Sequence, residues 1–113
     1  MQSAQAIEAL SALAQEHRLA LFRLLVQAGQ EGMAAGSLAE ALSIPNSSLS
    51  FHLAHLNRAG LIEQRREGRS LIYTANYRGM NALLAYLMEN CCEGSGDCDT
   101  EVACQLTEER KTA

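Results

Sequence analysis

The stretch from Ser37 to Ala75 constrains the fold more than any other, because it changes element type three times with very short breaks. Ser37-Leu38-Ala39-Glu40-Ala41-Leu42 reads as a short helix, with Ser37 and Glu40 at capping-box spacing. Ser43-Ile44-Pro45-Asn46 is a turn, and Asn46 or Ser47 caps a further helix that runs to about Ala59 and stops at Gly60. In that helix Leu49, Leu53 and Leu56 recur at inward spacing, while Ser47, Ser48, Ser50, His52, His55 and Arg58 fall outward. Two extended segments follow, Leu61 to Arg66 and Arg69 to Ala75, either side of Glu67-Gly68, which is the pattern of a β-hairpin. A helix, a three- to four-residue turn and a second helix make a helix-turn-helix, and a hairpin directly behind it makes a wing. The fold expected is mainly α with a β-hairpin wing.

The flanking segments complete a single domain. Ser3 caps a first helix to about Ala14, with Ile7, Leu10, Leu13 and Ala14 at helical spacing. Glu16 to Ala28 reads as a second helix. Leu19, Leu21, Phe22, Leu24, Leu25 and Val26 make it apolar over much of its surface, so it is expected to be the most buried. Gly29 to Gly32 closes it. Asn76 caps a last helix from Tyr77 to about Asn90, striped by Met80, Leu83, Leu84, Leu87 and Met88. This divides the 113 residues into a domain over 1–90 and an acidic, cysteine-bearing tail over 91–113, with Glu93 to Asp97 as a flexible linker.

The charge distribution fits a nucleic-acid partner better than the total does. The formal net charge is −4. Residues 89–113 carry seven acids and two bases, whereas residues 58–78 carry Arg58, Arg65, Arg66, Arg69 and Arg78 against Glu63 and Glu67. Phosphate contact depends on the local patch, not the sum. In a helix-turn-helix the second helix presents its N-terminal residues to base edges in the major groove. Here those are Asn46, Ser47, Ser48 and Ser50, then His52 and His55, with Arg58 behind them. Arg65, Arg66 and Arg69 around Gly68 suit the phosphate backbone or a neighbouring minor groove. Double-stranded DNA is the partner expected.

All four cysteines, Cys91, Cys92, Cys98 and Cys104, fall within fourteen residues, and the first ninety residues have none. A disulfide scaffold would spread its cysteines through the fold. The N-terminus lacks the basic start and apolar stretch of a secretion signal, and no apolar run approaches a membrane span. A cytoplasmic protein with no membrane partner is expected, and clustered thiols in that compartment point to metal or metalloid binding or to redox sensing.

The runs Ala12-Leu13-Ala14-Gln15-Glu16-His17-Arg18-Leu19, Asn46-Ser47-Ser48-Leu49-Ser50-Phe51-His52-Leu53-Ala54-His55-Leu56, Ala59-Gly60-Leu61-Ile62 and Arg65-Arg66-Glu67-Gly68-Arg69 resemble the ArsR/SmtB family over about residues 4–90. The resemblance implies a winged-helix homodimer joined through its first and last helices. It also implies a repressor that leaves its operator when an inducer binds. The family's arsenic sensors bind through cysteines before the recognition helix, and its zinc sensors through His and carboxylates on the last helix. This chain has no Cys in residues 31–38 and no His in residues 77–90. Cys91-Cys92 with Cys98 resembles instead a branch that senses arsenite through three C-terminal thiols.

Trivalent arsenic forms three bonds and keeps a lone pair, so three soft thiolates in a pyramid satisfy As(III), and its congener Sb(III). Cys104 is then a spare thiol or a fourth ligand. No resident cofactor is required. Other readings of the same thiols are a soft-metal site for Cd or Pb, an organoarsenical site, thiol oxidation, or no ligand at all. Spacings of zero, five and five residues suit tetrahedral zinc poorly. His17, His52 and His55 are weaker candidates for the inducer. His17 is expected to cap or pack near the second helix, and the other two to face DNA or solvent. A thiol-dependent arsenate reductase would need a thiol of lowered pKa beside an anion cradle, and acidic surroundings work against that. A metal buffer using only the tail would have no use for an Arg-tipped hairpin. The chain is therefore expected not to be an enzyme.

Overall fold

In the computed structural model, which describes residues 1–89, the chain forms α1 (Ser3–Leu13), α2 (Glu16–Ala28), a 3-10 turn (Gly29–Glu31), β1 (Met33–Ala34), α3 (Ala35–Leu42), α4 (Asn46–Arg58), β2 (Ile62–Glu67), β3 (Ser70–Ala75) and α5 (Tyr77–Leu87). The four cysteines and the tail lie outside the described residues, as does Asn90, where the last helix was expected to end. Every helix and both wing strands read from the sequence are present; β1 is additional. It pairs antiparallel with β3, Met33 opposite Tyr73 and Ala34 opposite Ile72, giving a sheet in the order β1-β3-β2. A two-residue strand has no periodicity to read, and it forms only because β3 supplies an edge. Gly32 permits the approach: its φ is +69°, and a Cβ there would collide with the Tyr73 carbonyl.

The caps differ from those expected at three helices. α1 is opened by a reciprocal pair between Gln2 and Gln5, not by Ser3. α3 starts two residues early, at Ala35, because β1 delivers the chain there, so Ser37 sits inside the helix and caps nothing. α4 follows Pro45, leaving Asn46 and Ser47 as its first helical residues with no side-chain cap. Asn76 does cap α5, its Oδ1 accepting from Gly79 N–H at 3.2 Å. The turn of the helix-turn-helix is Ser43-Ile44-Pro45. Ser43 is left-handed at φ +54°, and Ile44 N–H donates back to Ala39 O in the manner of a Schellman cap.

The core is aliphatic and centres on Leu21, Leu25, Leu38, Leu49, Leu56, Leu61 and Leu83, all essentially without solvent exposure. Leu49, Leu53 and Leu56 are buried as their spacing predicts. Burial of three leucines is worth about 5–9 kcal/mol, far more than any surface contact, and it settles which face of α4 points outward. α2 is less enclosed than expected: Leu21, Phe22 and Leu25 are buried, but Leu19 and Val26 are exposed. α1 turns in the face that was not expected. It packs through Ala6, Ala9 and Ala12, while Ile7 is 64% and Leu10 43% exposed. Small side chains let the helix backbone lie close to α2, and the large ones are left outside.

Candidate nucleic-acid interface

Burial of Leu49, Leu53 and Leu56 leaves the opposite face of α4 to solvent. Asn46, Ser47, Ser48, Ser50 and Arg58 are all exposed there, as the sequence predicts, together with Phe51, Ala54 and Asn57. The uncapped first turn leaves backbone N–H groups of Asn46, Ser47 and Ser48 without intrahelical acceptors. They lie at the positive end of the helix dipole, where an anionic oxygen is favoured. Arg58 makes only a loose ion pair with Glu8, 3.8 Å apart and largely exposed, so it can leave for a phosphate at little cost.

The two histidines are held less freely than the serines. His52 is half-buried, and its Nδ1 lies 3.3 Å from Arg18 Nη1. Arg18 also donates from Nε to the Ala12 carbonyl at 2.7 Å, so one guanidinium joins the end of α1 to α4 across the start of α2. The His17 ring lies 5.7 Å from that of His52, and Gln15 contacts His17 Nδ1 at 3.5 Å. His52 is thus drawn towards α2, away from the centre of the exposed face. Its pKa is lowered by desolvation first, then by the positive fields of Arg18, His17 and His55. That of His55 is lowered by desolvation, Arg18 and Arg58, against an opposing pull from Glu8. Both shifts favour the neutral imidazole, which leaves the face weakly basic rather than strongly cationic.

The wing separates its three arginines. Glu67 pairs with Ser70, so the connection is Gly68-Arg69, one residue later than the sequence suggests. Gly68 has φ +61° at the first central position, as a type II′ hairpin demands. Side chains alternate along β2, which puts Ile62, Gln64 and Arg66 on one face and Glu63, Arg65 and Glu67 on the other. The first face adjoins α4: Gln64 and Tyr73 line a cleft with Ser50, Ala54 and Asn57. Arg66 continues that face outward and Arg69 stands at the tip. Arg65 points the other way. It donates to the carbonyls of Gln30 and Glu31 at 2.7 and 2.8 Å, and to Glu67 Oε1 at 2.9 Å. Its guanidinium therefore ties the wing to the 3-10 turn.

Sequence reasoning passed over Phe51, Asn57 and Gln64. Phe51 was legible, since positions 47, 51, 54 and 58 lie opposite 49, 53 and 56 on a helical wheel, and so was Asn57, two turns after Ser50 on the flank of that face. Gln64 was not, because its place beside α4 depends on how the hairpin docks. Among the described residues no group of three or more His, Cys, Asp or Glu side chains could hold a metal ion.

Residues 13–65 match the model of a helix-turn-helix domain family. The transcriptional activator HlyU of Vibrio cholerae is 32% identical over 93 residues, covering 82% of this chain and 83% of that protein. The arsenical resistance operon repressor of Bacillus subtilis is 35% identical over 91 residues, 77% of this chain and 83% of its own. The solution structure of the homodimeric winged helix-turn-helix domain Mb0332 of Mycobacterium bovis, a possible ArsR-family regulator, superimposes with a TM-score of 0.63 at 28% identity, over 84% of this chain and 88% of that one.

Proposed function

The chain belongs to the ArsR family of winged helix-turn-helix transcriptional regulators, and from that premise we propose that it is a homodimeric repressor of its own operator, released by arsenite. The observation that carries the DNA-binding part is the single surface formed by the uncapped, serine-rich face of α4 and the Gln64–Arg66 face of the wing. A family of transcription regulators leaves no place for the reductase or the metal-buffer readings. Relatives bearing the name of arsenical resistance repressors favour a metalloid inducer.

The dimer interface is α1 with α5. Ile7, Leu10 and Leu87 are exposed, and Met80, Leu84 and Met88 are only half-buried. One small domain has no further use for such a stripe, and an isologous contact buries it twice. No helix among the described residues is long and apolar enough to cross a membrane, which suits a cytoplasmic DNA-binding protein.

The inducer site is the thiolate triad Cys91, Cys92 and Cys98, just beyond α5 in the chain. Three thiolates suit As(III), and Sb(III) after it, with Cys104 as a spare or fourth donor. Metalloid bound there ties the tail to the end of the dimer helix and alters the separation of the two recognition helices. Half-sites about 34 Å apart tolerate little change of angle. A coupling of about 1–3 kcal/mol corresponds to a roughly 5–150-fold loss of operator affinity. Thiol oxidation is the second reading, favoured by four thiols clustered within fourteen residues.

The test is a gel shift on the DNA upstream of the protein's own gene, with arsenite, antimonite, cadmium, zinc and a mild oxidant in turn. Release by arsenite is expected, and Cys91→Ser, Cys92→Ser or Cys98→Ser should abolish release while leaving binding intact. Normal arsenite release from the triple variant would overturn the site.

A further inference from the structure

Phe51 is the most exposed large hydrophobic residue among those described, at 66%. It stands in the middle of a face otherwise made of small or polar side chains. Ser47, one turn before it, and Ala54, nearly one turn after, carry almost no bulk, so the phenyl projects beyond its neighbours. Its ring is steadied from the side: those of His52 and His55 meet it edge-on, with centroids 5.8 and 6.5 Å away and interplanar angles of 70° and 77°. Nothing in the core needs it, and no other large exposed apolar side chain lies on α4; Leu71, 37% exposed, stands out on the wing opposite Arg66. It also lies in the second turn of α4, among the N-terminal residues of a recognition helix that meet base edges.

The major groove offers such a ring one kind of partner. Its floor carries hydrogen-bonding groups on every base pair and a single apolar group, the 5-methyl of thymine. We infer that Phe51 reads thymine in each half-site by burying that methyl against its ring. This rests on the proposed DNA-binding mode of α4. Serines alone discriminate weakly, because a hydroxyl both donates and accepts. An apolar contact adds what they lack: cytosine offers no methyl, and it would leave its amino group facing the ring without an acceptor.

The experiment compares two synthetic duplexes of the DNA upstream of the protein's own gene, one with thymine and one with deoxyuridine throughout. These differ only in the 5-methyl groups. Burial of one methyl is worth about fourfold in affinity, so two half-sites give about fifteenfold. The full-length protein is expected to bind the uracil duplex about fifteenfold more weakly. Phe51→Ala should bind both duplexes alike, at the level of wild type on uracil. Because the side chain is exposed, the variant should melt with the wild type, and a matched Tm confirms that the fold is intact. Equal binding of both duplexes by wild type overturns the inference while leaving DNA binding standing. So does a Phe51→Ala variant that loses affinity but still prefers thymine, since the methyl-sensing group is then elsewhere. Failure of wild type to bind either duplex refutes the underlying mode of DNA binding instead.

Discussion

Arg65 and Arg66 are neighbours of the same type on an exposed strand, yet they lie on opposite faces of the wing, and under the proposed mode of DNA binding they do different work. Replacing each in turn by alanine separates the two roles. Arg66 lies on the wing face that continues from α4, and it makes no side-chain hydrogen bond or ion pair to the described residues. As a phosphate contact it contributes about 0.9 to the slope of log affinity against log salt, hence about 1.8 for a dimer with two wings. Arg66→Ala should reduce the slope by that amount. Between about 50 and about 200 mM salt its affinity should then fall about twelvefold less than that of wild type. Arg65 spends its guanidinium on two backbone carbonyls and Glu67. Dry charge-assisted bonds would be worth more, but the side chain is 43% exposed. Its loss should therefore cost about 1–2 kcal/mol of stability. Arg65→Ala should lower the Tm and free the wing, with the salt slope unchanged. Fluorescence anisotropy across a salt series, paired with thermal melts, reads both quantities. An equal drop in slope for the two variants would refute the division, because Arg65 would then have to leave its carbonyls for phosphate.

Three further outcomes are expected. A Cβ on Gly79 would collide with the Gly60 carbonyl, where Asn76 Nδ2 also donates at 2.9 Å; Gly79→Ala should prise α5 from the end of α4 at about 1–3 kcal/mol, visible as a Tm lowered by several degrees. His52 has a lowered pKa in the folded state, so the unfolded chain binds the extra proton first. Stability is therefore intact above about pH 6.5 and declines as pH falls through the folded pKa; His52→Gln should flatten that decline in melts at successive pH values, with His17, His55 and Arg18 still present. Ile7→Glu or Leu87→Glu places a carboxylate on the exposed apolar stripe and should shift sedimentation from dimer to monomer, with operator affinity falling alongside.

What the sequence determined by itself was the order of elements and the outward face of the recognition helix. Both depend on local rules. Leu49, Leu53 and Leu56 repeat with the helical period, Gly68 takes a backbone angle that other residues avoid, and Asn76 caps the helix it immediately precedes. The tertiary structure decided what depends on partners distant in the chain. β1 exists only where β3 meets it, and its arrival starts α3 early and leaves Ser37 uncapping. For α1 the sequence pointed to Ile7, Leu10, Leu13 and Ala14. Close packing on α2 chose the alanines, leaving Ile7 and Leu10 outside. His52 is drawn in by an arginine 34 positions earlier in the chain. Three arginines that look equivalent in the sequence are sorted by strand alternation and by two carbonyls of the 3-10 turn. Periodicity and caps report an element's own backbone, whereas the choice among its faces is made by whatever packs against it.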